Sequence, residues 1–287
     1  MSGAVQTGWP PSSDPAPPAP ARRGRRWLLV ATVLWALLLA GLTWMSVRDD
    51  PPTVREQRTL AEAVPVVERA VGELARAAGT AGLLELGPAR VSAGCRVTPL
   101  ADGARLRREV GVLLASAGTE RTVLTGIADR LPATWRAGVG PGLDGPELRA
   151  DAGEFVAVEG RPTGDGRLRL TVDTGCRPPG AGYDPAPATA AGPEAAALTA
   201  ALTALGRPTG NPPELVTAPC PDGTLARTAR SAAGSGPATA SALAPLAGGT
   251  PLLDNPPVYA YRVGDVTVLA ELGPDTARVA ATVGCPG

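Results

Sequence analysis

Residues 27–47, WLLVATVLWALLLAGLTWMSV, run for 21 positions without a charged side chain. At roughly 1.5 Å per residue a helix of that length spans about 30 Å, the thickness of a bilayer's hydrocarbon. Trp27 and Trp44 fall near its two ends, where indole rings favour the headgroup boundary. Arg22, Arg23, Arg25 and Arg26 stand immediately before it, whereas the far flank, Arg48, Asp49 and Asp50, carries no competing basic cluster. Positive charge on the short leading side predicts a cytoplasmic N-terminus and an extracytoplasmic chain from residue 48 to 287. A cleaved secretory signal has an apolar run of roughly 7 to 15 residues and a small-residue exit. Here the exit GLTWMSVRDD places Trp and Met where small residues are needed, so a retained signal anchor is expected rather than cleavage. A buried helix of a soluble core is the third reading, and the basic front argues against it.

Residues 1–26 hold too few apolar side chains to bury a core, and they carry the Pro cluster of residues 10–20, so an extended or disordered cytoplasmic tail is expected. Pro15 to Pro18 and Pro17 to Pro20 fit PxxP, a pattern that proline-reading domains accept. Membrane lipid, met through residues 27–47, is the first partner; anionic headgroups and orientation suffice to explain the four arginines.

Much chemistry is excluded by composition. Histidine is absent and all 27 basic residues are Arg. His-based triads, His metal ligands, Ser-Lys dyads, Schiff-base lysines and Walker-type phosphate loops are thereby removed. A single Ile, a single Phe and missing Lys read as the codon bias of a GC-rich genome. Setting aside the tail leaves 23 Arg against 26 acidic residues on the outer side, a balance that disfavours nucleic acid as a partner.

Cys95, Cys176, Cys220 and Cys285 all lie in the outer region, where oxidation is permitted, and an even count there favours disulfides. Four cysteines allow three pairings, and a faint internal duplication selects one. ELGPARVSAGC leads to Cys95 and is followed by Asp102-Gly103; ELVTAPC leads to Cys220 and is followed by Asp222-Gly223. Further on, ELRADAGEFVAVEG resembles VYAYRVGDVTVLAEL, and each is followed by a strand ending at TVDTGCRP or TVGCP. Copies of one unit would pair Cys95 with Cys176 and Cys220 with Cys285. Loops of 81 and 65 residues would then contribute about 4 kcal/mol each in the chain-entropy model.

The outer region reads as α+β, two related repeats each with helices on an antiparallel sheet and one internal disulfide. Repeat 1 covers residues 48–176, a Pro/Gly/Ala linker covers 177–192, and repeat 2 covers 193–287. Leu60, Val64, Val67, Val71, Leu74 and Ala78 recur at helical steps, with Pro65 opening or kinking the helix. Asp102 is read as the N-cap of a helix carrying Leu106, Val110, Leu113 and Ala117, stopped by Gly118, and another helix is expected near 120–131. From Leu168 the period becomes two, and Gly264-Asp265 reads as a hairpin turn. Each repeat thus closes in a three-stranded meander.

Carboxylates are the remaining acid-base candidates. Asp144, Asp151, Glu154, Glu159, Asp165 and Asp173 crowd one stretch, and a pair across a cleft would suit glycoside hydrolysis. Their alternation with Arg149, Arg161, Arg167 and Arg169 is the pattern of a solvated strand face with cross-strand ion pairs, and that reading is preferred. WRAGVGPGLDG, residues 135–145, is read as a long connection rather than a ligand loop. Trp135, Phe155, Tyr183, Tyr259 and Tyr261 are the only aromatics outside the membrane region and tail, with Tyr259 and Tyr261 on one strand face. The reading that follows is a single-pass, non-enzymatic binding or scaffolding module of the bacterial cell envelope. An envelope protein is its expected partner, no cofactor or metal is implied, and oligomeric state is open. The alternatives are a carboxylate-based envelope hydrolase and a small-molecule sensor with a cleft between the repeats.

Overall fold

The computed structural model describes residues 22–49, 58–98, 101–180, 183, 192–207, 212–231, 234–235 and 238–286. The Pro-rich tail, and most of the expected linker, lie outside them. Helix α1, Arg22–Asp49, contains a span Arg26–Met45 with a mean hydropathy of 2.1 and no buried residue. Thr32 and Thr43 return their hydroxyls to the carbonyls of Leu28 and Leu39, at 2.6 and 2.8 Å. Neither leaves a donor facing outward, as a lipid-exposed helix requires. The helix is long and apolar enough to cross a membrane. Residues 1–52 and 53–287 make two compact units.

The second unit is α+β with two antiparallel sheets. Helix α2, Leu60–Ala78, opens with a capping box in which Thr59 and Glu62 exchange side-chain-to-backbone hydrogen bonds. Pro65 lies inside the helix rather than at its start. Strands β1 (Leu83–Leu86), β2 (Arg90–Thr98) and β3 (Ala101–Leu113) follow, then α3 (Glu120–Arg130) and a meander of β4 (Gly138–Gly142), β5 (Gly145–Asp151), β6 (Ala157–Gly164) and β7 (Arg167–Asp173). The first sheet runs β1-β3-β7-β6-β5-β4, with β2 sharing with β1 the edge of β3.

Strand β3 corrects the helix expected from Asp102 to Ala117. Its inward residues are Ala104, Leu106, Arg108, Val110 and Val112, a period of two. The alternation is hidden in sequence because Arg108, 4% exposed, occupies an inward position. It is tolerated there because Glu68 of α2 holds its guanidinium through both carboxylate oxygens, at 2.6 and 2.8 Å. Gly103, expected inside that helix, lies where the chain passes the disulfide: a Cβ would come 2.5 Å from Cys176 Sγ. Gly118 has a left-handed φ of 86° but ends no helix.

The second half comprises α4 (Pro193–Ala204), β8 (Glu214–Pro219), β9 (Leu225–Arg230), β10 (Gly234–Ser235), α5 (Ala244–Ala247), β11 (Leu253–Asn255), β12 (Val258–Val263), β13 (Val266–Leu272) and β14 (Thr276–Val283). Its sheet runs β11-β12-β13-β14-β9-β8, with β10 against β14. Each meander thus has four strands where three were expected; β4 and β11 are short and bounded by Gly or Pro, which blurs them in sequence. Asp222-Gly223 is the turn between β8 and β9, with Asp222 accepting from the Thr224 N–H at 3.0 Å. Gly264, at φ 56°, makes the β12–β13 turn.

Each sheet buries one face against helices. Leu198, Ala201 and Leu202 of α4 pack on Tyr261, Val268, Val279 and Ala281 of the second sheet. Helix α2 covers Val110, Leu168 and Leu170 of the first, yet its burial extends nearly all round, because Val216, Ala218 and Ala226 of the second sheet join the same core. Gly72 permits this contact: a Cβ there would lie 1.8 Å from the Pro219 carbonyl oxygen. The halves therefore share the core around α2, and the second half has a further core of its own under α4. Cys95 is bonded to Cys176 and Cys220 to Cys285, with Cα separations of 5.9 and 5.6 Å.

Candidate functional site

The two sheets meet along β1. Its Leu86 N–H finds no strand on its outer side and donates to Thr228 Oγ1 at 3.1 Å, and that hydroxyl also bonds Thr282 Oγ1 at 2.9 Å. Leu83, Leu113, Ala260 and Leu269 close a small apolar seam beside it. Next to this seam the outer face of the first sheet and the second sheet form a cleft of about 150 Å³. Charged side chains dominate its walls: Glu85, Glu109, Arg167 and Arg169 from the first sheet, Arg230 and Arg278 from the second.

Strand pairing explains this convergence. One row across four strands reads Glu85, Gly111, Arg169, Arg161, from β1 through β3 and β7 to β6. Glu85 is claimed by the second sheet. Its Oε1 lies 2.7 Å from the Arg278 guanidinium and 3.0 Å from Arg230 Nε. Arg167 crosses to Glu271 at 2.7 Å, while Arg169 stands 3.7 Å from Glu109, beyond hydrogen-bonding range. A second cleft of about 500 Å³ lies where β1 begins, between Gly82–Leu84, the Arg262 and Asp265 hairpin and Thr282–Pro286.

The carboxylates singled out in sequence are dispersed. Asp173 accepts from Arg105 Nε at 2.6 Å, Arg107 Nε at 3.1 Å and the Gly175 N–H at 2.8 Å. Burial pushes its carboxyl upward, but those three hydrogen bonds and the Arg105 charge outweigh it and hold the group below the usual carboxylate range. Glu154 pairs with Arg58 at 2.6 Å, and Asp151 accepts from the Gly153 N–H at 2.9 Å. Asp144 and Asp165 sit exposed in hairpin turns, and Glu159 faces outward on β6. Glu154 and Phe155 both adopt left-handed φ, 53° and 59°, after Gly153. That turn is pinned from beneath by Arg177, wholly buried, which donates to the Glu154 carbonyl and exchanges backbone hydrogen bonds with Ala104. Arg177 thus belongs to the folded core, although the sequence places it at the start of a linker.

Trp135 is buried, and the Gly-rich stretch after it is not an irregular loop but the β4–β5 hairpin with a fully exposed Leu143 at its tip. Tyr259 and Tyr261 pack into the second core, Tyr183 packs against the first, and Phe155 is half exposed. In α1, Arg26, Trp27 and Trp44 are exposed, and Arg22, Arg23 and Arg25 form its first turn. No group of three or more Asp, Glu or Cys side chains suited to a metal ion occurs among the described residues. Sequence reasoning missed Glu85, Arg230 and Arg278, which lie up to 193 positions apart and meet only through the packing of the halves.

Comparison with known proteins finds no family model, no curated protein and no solved structure that matches this chain.

Proposed function

We propose that the chain is a single-pass, membrane-anchored binding or scaffolding module of the cell envelope, with residues 48–287 extracytoplasmic and no catalytic role. The observation that carries this reading is the union of an exposed apolar helix with a unit closed by two disulfides. Disulfides persist in oxidising compartments, and the Arg-rich front of the helix supports an inward N-terminus. The hydrolase alternative is weakened at Asp173, whose carboxyl is shifted downward, opposite to the direction a general acid needs. We also infer that the halves are copies of one unit. Strand orders β2-β3-β7-β6-β5-β4 and β8-β9-β14-β13-β12-β11 correspond, and the cysteines fall on or after corresponding strands in both.

A cysteine-free reporter fused after Gly287, read on both sides of the membrane, tests the topology; activity only in the cytoplasm would refute it. In situ cross-linking from the outer region tests the binding role, with recovery of a discrete envelope protein as the expected outcome. Loss of function on replacing one outer carboxylate, with the fold and the cross-link intact, would instead favour the hydrolase. A second reading, ligand binding between the halves, is favoured by the charged cleft along β1.

A further inference from the structure

We propose that the cleft along β1 binds a small oxyanion, a carboxylate or phosphate group, through Arg167, Arg169, Arg230 and Arg278; this deepens, and rests on, the reading of the outer unit as a binding module. Three observations converge on it.

Arg161 and Arg169 are direct cross-strand partners on one exposed face, an arrangement that repels. On the β1 side of Arg169 nothing in the row offsets the repulsion. Gly111 has no side chain, and Glu85 is engaged by Arg230 and Arg278. Arg161 has no ion pair among the described residues, and Arg169 has only Glu109 at 3.7 Å.

Donors also outnumber acceptors. A guanidinium offers five N–H groups. Arg230 and Arg278 share a single oxygen of Glu85, the Glu214 carboxylate stands no closer than 4.0 Å to Arg230 Nε, and that Nε is buried without an aligned hydrogen bond. A ligand with two or three oxygens on one centre would supply the missing acceptors in the geometry that guanidinium groups favour. Leu113 and Leu269 wall the cleft, which strengthens such a contact by excluding water.

Gly111 keeps the floor open. It sits mid-strand, where glycine costs stability, and neither close packing nor a left-handed φ requires it: a Cβ there would meet nothing nearer than 3.7 Å. A mid-strand glycine without a packing reason suits the approach of a ligand.

The test uses the full-length protein in detergent micelles at fixed ionic strength, with chloride as the reference anion. Inorganic phosphate and succinate are titrated separately, reading heat of binding and the thermal unfolding midpoint. The expected result is a saturable signal with at least one of them, and the responding arm tells phosphate from carboxylate recognition. Arg169→Gln should weaken it about tenfold, while the ligand-free midpoint holds or rises as the repulsion from Arg161 is relieved. Gly111→Leu should abolish binding by filling the floor. Because Arg169 is half exposed, its variant keeps the test decisive even where Gly111→Leu unfolds the chain. No saturable signal with either anion, or one that both substitutions leave unchanged, overturns the proposal. Neither result touches the topology reporter or the cross-link, so the binding-module reading stands or falls separately.

Discussion

The two sheets share a strand order yet treat their second faces oppositely. In the second sheet the side turned from α4 carries Val216, Ala218, Ala226, Thr228, Ala260, Ala280 and Thr282, and the first half covers much of it. In the first sheet the side turned from α2 carries Arg105, Arg107, Arg149, Glu159, Arg161, Arg169 and Asp173, and most of it stays open. Small and apolar residues at one phase of the alternation let a sheet be buried twice, and charges at the same phase limit it to one layer. The contrast places the candidate cleft: it lies where the open charged face runs into the covered one.

The largest test of this contrast is removal of each disulfide. Loop lengths of 81 and 65 residues give nearly equal chain-entropy contributions, about 4 kcal/mol apiece. Their surroundings differ, since Cys220 is buried in the shared core while Arg90 to Gly94 of β2 are exposed throughout. In urea melts the Cys220→Ala/Cys285→Ala protein should lose more stability than Cys95→Ala/Cys176→Ala. Hydrogen exchange in the latter should quicken first in β2. The reverse order would mean that the covered face does not bind the halves together.

Two glycines sharpen the same point. Gly72→Ala drives a methyl group into the Pro219 carbonyl and should cost about 3 kcal/mol or more by forcing α2 off β8. Gly111→Ala, on the open face, meets only ordinary contacts and should change stability by less than about 1 kcal/mol in either direction. Equal losses in denaturant melts would show that the open face is as tightly covered as the other.

Extremes of pH should attack different sheets. Burial in the second core, with a smaller contribution from Tyr259, pushes the Tyr261 hydroxyl up to about 12. The unfolded chain releases that proton near pH 10, so stability is intact below pH 10 and falls between about 10 and 12, by roughly 2 to 3 kcal/mol. Tyr261→Phe should flatten that limb of a stability–pH curve. Asp173 acts in the opposite sense. Its lowered value means that its stabilisation is present above the unfolded carboxylate value near 4 and is lost as acid titrates the folded group below it. Asp173→Asn should shrink the acid limb and leave the alkaline one.

These differences set what sequence could reveal. The apolar run of α1, the amphipathic face of α2 and the period-two pattern of β7 were legible because each is local. Strand β3 was not. Leu106, Val110 and Leu113 happen to fall at helical steps, while the true alternation passes through Arg108, whose partner Glu68 lies 40 positions away. The candidate cleft was hidden for the same reason: Glu85, Arg230 and Arg278 become neighbours only once the second sheet's small residues have been covered. The alternation of Arg and carboxylates did announce an exposed charged face, but not which part of it would be enclosed.

The smallest test isolates the seam itself. Thr228 accepts from the Leu86 N–H and bonds Thr282 in a fully buried position on the covered face. Thr228→Val keeps volume and strand propensity but strands that backbone donor, which should cost about 1 to 2 kcal/mol. Thr171→Val makes the same exchange on the open face, directly opposite Glu109 and Glu159, and should stay within about 0.5 kcal/mol of the parent. Their difference measures what covering one face adds to an otherwise equivalent threonine. If the two variants melt alike in urea, the edge of β1 is satisfied by water, and the seam between the sheets is looser than the 3.1 Å hydrogen bond implies.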